Sequence, residues 1–147
     1  MLVLIGGLVS WYLKDRTEAL RTEREKFQRD RLNIYLEILE PVLGAFVYQD
    51  STQKQSRTIA KIASDQYRKK SFELILYGSD EVVRAWGDFM QHMYRSNEAG
   101  TFDLKASLQK LGAVLLAVRK DLGNKNTDLD NLEIFKWYLK DFHTLEK

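Results

Sequence analysis

Asp88 and His92 are the two residues whose types and spacing come nearest to chemistry in this sequence. They lie four positions apart, so in a helix they share one face, which suits two metal ligands or a simple ion pair. The second histidine, His143, lies far along the chain, and the Glu-x-x-His motif of di-iron bundles does not occur. We therefore interpret Asp88 and His92 as a surface pair and expect no metal site.

Motifs of catalytic and cofactor sites are also missing. The sequence has no cysteine, which excludes a disulfide, a thiolate zinc site and a cysteine nucleophile. Neither a glycine-rich phosphate loop nor a Gly-x-Ser-x-Gly element is present. We expect a protein that is not an enzyme and that holds no cofactor.

The strongest pattern is at the N-terminus, where residues 1–13 are uncharged and apolar and a band of mixed charge begins at Lys14. Aliphatic side chains favour hydrocarbon, while tryptophan and tyrosine favour the headgroup level. The Lys and Arg residues after the run predict a single-pass, N-out topology with the body of the protein in the cytoplasm. The expected membrane-anchoring side chains are Leu2, Leu4, Ile5, Leu8, Val9, Trp11, Tyr12 and Leu13.

This anchor is short. Residues 1–13 would cover about 20 Å as a helix, whereas a bilayer core is about 30 Å thick, and their aliphatic side chains contribute only about −2 to −4 kcal/mol to insertion. Four interpretations stay open: a short span that thins the bilayer or self-associates, the end of a longer span, a signal peptide, or an apolar helix end buried in a soluble bundle or homo-oligomer. The missing basic start and cleavage site disfavour the signal peptide. Gly6 and Ser10 form a small-xxx-small pair that would let two such helices approach closely.

Residues 14–31 predict a charged helical stalk, because they contain no glycine or proline and carry opposite charges four residues apart, such as Arg21 and Glu25. Leu13, Leu20, Phe27 and Ile34 recur every seven residues. One apolar residue per heptad is half of a coiled-coil seam. The stalk is therefore either a solvated helix that lies against a neighbour along one stripe, or the shaft of a dimer.

Residues 32–147 predict an all-α fold, a cytoplasmic antiparallel bundle of about four helices, since one proline and eight glycines are too few for the turns of a β-rich fold. We expect Pro41 to kink the first helix. A loop should cover residues 50–56, and a second helix should cover 57–77 and stop at Gly78.

The remaining helices follow from capping and apolar spacing. Ser79 should cap the third helix, which buries Val82, Trp86, Phe89 and Met93. A fourth apolar stripe covers residues 104–122 and ends at Gly123. Thr127 and Asp130 resemble a capping box and predict a last helix. Its buried face should contain Leu132, Phe135, Leu139 and Phe142.

Basic residues concentrate in and just before the second predicted helix, where Lys54, Arg57, Lys61 and Arg68 are spaced to share one face. Such a face could contact anionic lipid or nucleic acid phosphates. Nucleic acid is the weaker alternative, because no recognition fold or aromatic ladder accompanies these residues. The simplest interpretation is a solvated face whose charge is neutralised by acidic residues of the C-terminal segment. Those residues are Asp128, Asp130 and Glu133.

The run Arg119-Lys-Asp-Leu-Gly123, together with the anchor and stalk, resembles a layout found in small bacterial membrane-anchored helical proteins of unknown activity. The resemblance implies an inner-membrane protein with a cytoplasmic helical domain and carries over no catalytic residue. The run from Arg119 to Gly123 also has a local structural explanation that does not depend on the resemblance. Arg119 and Lys120 oppose the negative end of a helix, Gly123 supplies a left-handed cap, and Asp121 can pair with a nearby cation.

Three functional hypotheses remain. The first is a noncatalytic, membrane-tethered helical module that binds membrane lipid and either a protein partner or a second copy of itself. The second is a membrane-active effector whose short N-terminal helix forms a permeabilising assembly when the cytoplasmic domain is triggered. The third is a small ligand-binding bundle, which a pocket lined by Trp86, Tyr94 or Trp137 would indicate.

Overall fold

The structure is a computed structural model that describes residues 2–47, 52–139 and 142–144. The side chains of residues 1–13, and so those of the predicted anchor and of the Gly6 and Ser10 pair, lie outside the described part. The described residues are all-helical and contain no strand, as the sequence predicts. The five α-helices are α1 (Leu2–Val47), α2 (Thr52–Ile62), α3 (Asp65–Tyr77), α4 (Asp80–Ala99) and α5 (Leu104–Asp121). Two 3₁₀ turns, Glu133–Phe135 and Phe142–Thr144, complete the described chain.

The first helix, α1, has 46 residues, which corresponds to a length of about 70 Å. It passes through Pro41 and ends only at Val47, so the disturbance expected at Pro41 does not break the helix. Proline removes one backbone donor, but Ile38, Leu39 and Val42 around it are buried, and their packing holds the helix together. Within the described ranges, no helix is both long and apolar enough to cross a bilayer.

Along α1 the environment changes from solvent to core. Residues 14–29 are exposed, and the first buried side chains beyond them are those of Ile34 and Tyr35. The hydroxyl of Tyr67 donates to the Ile38 carbonyl at 2.9 Å, and the Tyr77 carbonyl accepts from Arg31 Nε at 2.7 Å. Because Tyr67 lies in the first turn of α3 and Tyr77 at its end, these two contacts make α3 antiparallel to α1.

The single helix predicted over residues 57–77 is wrong, because the chain forms two helices there. Ser64 is extended, and its hydroxyl accepts from the Tyr67 amide at 3.2 Å as the N-cap of α3. The same hydroxyl donates to the Lys61 carbonyl at 2.6 Å. A serine that satisfies the backbone on both sides competes with a continuous helix. The loop predicted over 50–56 is also wrong for residues 52–56, since α2 already begins at Thr52, whereas residues 50 and 51 lie outside the described part.

The next two helices agree with the prediction. Gly78 ends α3, although in an extended conformation, and Ser79 caps α4 by accepting from the Val82 amide at 3.4 Å. After α5, the Gly123 amide donates to Lys120 and the Asn124 amide to Arg119, with Gly123 at φ +108°. These two bonds form a Schellman cap, which requires a residue that tolerates positive φ.

The last predicted α-helix is wrong. The C-terminal segment is mostly irregular, and Asp130 caps only the short Glu133–Phe135 turn by accepting from the amides of Leu132 and Glu133. The Glu133 carboxylate accepts from the Asp130 amide, so the capping box lies three residues later than expected. Residues 123–131 are rich in glycine, asparagine and aspartate, which are poor helix formers. Phe135 and Phe142 are nevertheless buried, as predicted.

The core contains buried side chains of α1, α3, α4, α5 and the Glu133–Phe135 turn, and Ile62 of α2 packs against it. Its fully buried side chains include Tyr35 and Ile38 of α1, Val82 of α4 and Leu111 of α5. The C-terminal segment lies against α5 at Gly112, where an added Cβ would be 1.7 Å from the Asn131 carbonyl oxygen. A close approach of two backbones therefore fixes this segment on the bundle.

Candidate functional site

His92 does not pair with Asp88. Its Nε2 atom lies 3.1 Å from the hydroxyl of Ser107, and that hydroxyl donates to the Asp103 carbonyl at 2.7 Å. Because the Ser107 hydroxyl donates its proton to this carbonyl, it accepts a hydrogen bond from His92. We therefore assign the imidazole proton of His92 to Nε2. The predicted surface pair of Asp88 and His92 is therefore wrong, and His92 instead joins α4 to the start of α5.

Ser107 and His92 have the residue types of a nucleophile and its base, but their surroundings argue for a structural role. Ser107 is fully buried in the bundle and is held by Asp103. Sequence reasoning missed the Ser-x-x-Lys spacing of Ser107 and Lys110, and the structure exposes that lysine at the surface. Among the described residues, no group of three or more His, Asp or Glu side chains could hold a metal ion.

The predicted basic face is divided between two helices. Arg57 and Lys61 lie exposed on α2, Arg68 lies exposed on α3, and the Lys54 side chain lies outside the described part. Lys70 contacts Glu37 and Glu73, each at 3.0 Å, and the hydrogen bonds to Glu73 and Glu37 raise its pKa. Lys70 lies outside the predicted face, whose Arg68 lies 3.9 Å from Asp65 of the same helix. Among the described residues, no ion pair joins that face to the C-terminal acidic residues that the sequence suggested.

Two shallow surface depressions give no support to the ligand-binding hypothesis. Trp86 is buried in the core, Tyr94 is exposed, and Trp137 is 81% exposed beside Tyr138. None of these three aromatic residues lines either depression. One lies between α4 and α5 and is lined by Ala85, Asp88, Gln109, Lys110, Ala113 and Asn131.

The most connected polar group is at the base of the stalk, where Arg31 meets the ends of two helices. Its Nη2 atom lies 2.9 Å from Asp121 Oδ1 at the end of α5, and its Nε atom donates to the last carbonyl of α3, that of Tyr77. The side chains of Arg31 and Asp121 are only 13% and 9% exposed. Helix C-termini carry partial negative charge, so a cation between two of them is favourable. We call Arg31, Tyr35, Tyr77 and Asp121 the Arg31 clamp.

Tyr35 completes the Arg31 clamp. Its hydroxyl donates to Asp121 Oδ2, so the carboxylate accepts from two residues of α1. Burial, followed by the bond to Asp121, raises the pKa of Tyr35 to about 12. The sequence predicted a cation for Asp121, and the structure identifies Arg31 at a separation of 90 residues. No local pattern could have named that residue.

Beside the clamp, the stalk and the end of α3 form an open groove. Phe27 lies 5.7 Å from the ring of Tyr77 and 5.2 Å from the guanidinium of Arg31, measured to the ring centroids. The groove is lined by Glu23, Lys26, Phe27, Asp30, Leu76 and Tyr77. Its walls therefore combine exposed apolar side chains with charges of both signs.

Two ion pairs lie within the stalk itself. Arg21 Nε lies 2.8 Å from Glu25, which confirms that predicted pair, and Lys14 lies 4.0 Å from Glu18. Of the heptad residues, Ile34 is buried in the core, whereas Leu20 and Phe27 are about half exposed, and the side chain of Leu13 lies outside the described part. From Leu20 onward the apolar stripe therefore passes from solvent into the core.

Comparisons with known proteins gave no relative: no family model, no curated protein and no solved structure matches this chain.

Proposed function

We propose that the chain is a noncatalytic, membrane-tethered helical module that binds a protein partner or assembles with itself at the cytoplasmic face of a bacterial inner membrane. The observation that carries this proposal is the continuity of α1. One helix contains the apolar N-terminal residues, the exposed stalk and the buried segment beyond Ile34. A continuous helix keeps its two ends at a fixed separation, so the bundle would be held at a fixed distance from the membrane.

The Arg31 clamp supports a rigid connection. It fastens the base of the stalk to the ends of both α3 and α5 through partly buried, charge-assisted hydrogen bonds. A stalk that was flexibly connected to the bundle would not need these hydrogen bonds. The orientation of the anchor and that of the bundle would therefore be coupled.

The position of the basic residues favours a protein partner over lipid for the far end of the bundle. Tyr67, next to Arg68, contacts Ile38 of α1, a position about 36 Å along the helix from Lys14. An upright stalk would hold Arg57, Lys61 and Arg68 at that distance from the anchoring membrane. Contact with anionic lipid would require α1 to lie along the bilayer surface.

Fractionation of the full chain tests the tether. We expect the wild-type protein to stay in the membrane pellet after washes with high salt and alkaline carbonate. Leu8→Arg should release it, because a central arginine costs about 2.5–3.5 kcal/mol, comparable to the whole favourable insertion energy of the run. Thr22→Arg, in the exposed stalk, is the matched control and should remain in the pellet. Release of the wild-type chain would contradict the tether.

A further inference from the structure

Exposed apolar side chains form one strip that begins on the stalk and continues onto α3. Phe72, Ile75 and Leu76 are spaced at three and four residues, so they share the outer face of α3. Leu76 and Phe27 line the same groove, and Leu20 lies two helical turns before Phe27 on the stalk stripe. We call these five residues the stalk strip.

The size of the stalk strip fits one side of a protein interface. Its five side chains are between 45% and 65% exposed. At roughly 100 Å² each, they offer about 500 Å² of apolar area. A standard interface takes about 800 Å² from each partner, of which a little over half is apolar. The largest apolar patch on a monomer is commonly about 300–600 Å² and is often functional, so the stalk strip has the size of such a patch.

The charges around the stalk strip point to a partner with the same charge pattern. Residues 14–30 contain six basic and five acidic side chains, mixed along the helix. Such a surface neither attracts an acidic or basic partner strongly nor repels its own copy. The groove beside Phe27 shows the same mixture, with Glu23, Lys26 and Asp30 at its edges.

We propose that the stalk strip is the interface of a parallel homodimer, in which Leu20 and Phe27 of one copy face the same residues of the second. A two-fold axis along the stalk places the same patch of both copies together. The parallel arrangement is the one that directs both apolar N-terminal segments toward the same membrane. The dimer rests on the proposed function, since it names a second copy as the partner of the tethered module.

Single cysteines in the full chain, in native membranes, test the dimer. The natural sequence has no cysteine, so Leu20→Cys introduces the sole thiol. A disulfide needs Cα atoms about 4.4–6.8 Å apart, which a parallel contact at Leu20 provides. Under mild oxidation we expect a covalent dimer from Leu20→Cys. Thr22→Cys, at the same height on the opposite face, should stay monomeric.

A second variant tests the stalk strip at a residue other than the one that carries the cross-link. Leu76→Glu in the Leu20→Cys background should lower the yield of covalent dimer about fivefold, because it places a charge in the apolar strip. Gln66→Glu, at another exposed site of α3, should leave the yield unchanged. Equal yields from Leu20→Cys and Thr22→Cys, or no dimer from either, would overturn the homodimer. Cross-linking of Leu20→Cys to a different protein would also overturn it, while leaving the tethered module intact.

Discussion

Arg31 on α1 and Asp121 at the end of α5 form a partly buried ion pair, with 2.9 Å between Nη2 and Oδ1. Asp121 lies at the last residue of α5, and Arg31 at the last residue of the predicted stalk. The pair therefore connects the stalk to the bundle at a level where α1, α3 and α5 all contribute.

Removal of the Asp121 charge should destabilise the fold. Asp121→Ala leaves the Arg31 guanidinium partly buried without its carboxylate, which typically costs about 3 kcal/mol. The measurement is the free energy of unfolding of the full chain in denaturant. Arg21→Ala, which breaks the exposed pair with Glu25, is the control and should cost under about 1 kcal/mol. Equal losses in both variants would contradict the importance of the Arg31 clamp.

High pH should weaken the clamp through Tyr35. Because its folded pKa is raised from 10.0 to about 12, Tyr35 keeps its proton in the folded state longer than in the unfolded one. Its contribution to stability is fully present below about pH 10 and is lost as the pH rises toward 12. Unfolding free energies across this window should fall less steeply for Tyr35→Phe than for wild type. Equal slopes for Tyr35→Phe and wild type would contradict this role of Tyr35.

Two glycines inside helices should respond oppositely to alanine. At Gly112 the new Cβ would overlap the Asn131 carbonyl, so Gly112→Ala should displace the C-terminal segment and cost about 1–3 kcal/mol or more. At Gly87 nothing lies within 4 Å of the new Cβ, so Gly87→Ala should stabilise the protein by about 0.5–1 kcal/mol. Thermal unfolding of both variants tests this contrast. A stabilised Gly112→Ala would show that the segment does not pack there as described.

Overexpression of the full chain separates the tethered module from the membrane-active effector. We expect cells that overproduce it to exclude a membrane-impermeant dye, because a tether need not perturb the bilayer. Dye entry that disappears when residues 1–13 are deleted would favour the effector.

Capping residues and the spacing of apolar residues predicted several helix boundaries correctly, because both act within one or two helical turns. Ser79 and Gly123 show this, since the hydrogen bonds that each cap involves reach residues fewer than six positions away. The same local rules did not predict the N-cap at Ser64, which divides the helix expected over 57–77. They failed again in the C-terminal segment, where the capping box predicted at Thr127 and Asp130 forms instead between Asp130 and Glu133 and opens only a 3₁₀ turn.

By itself the sequence determined the all-helical fold class, the exposed charged stalk and the burial of several predicted core residues, including Phe135 and Phe142 in a segment that is not an α-helix. Of the other predicted core residues, Met93, Leu132 and Leu139 are only partly buried. These features depend on hydropathy and propensity, which belong to each residue and its near neighbours. Only the tertiary structure decided that Arg31 meets Tyr77 and Asp121, that His92 meets Ser107, and that Leu76 continues the stripe of Phe27. Most of these contacts join residues far apart in the chain, and their formation depends on how the helices pack.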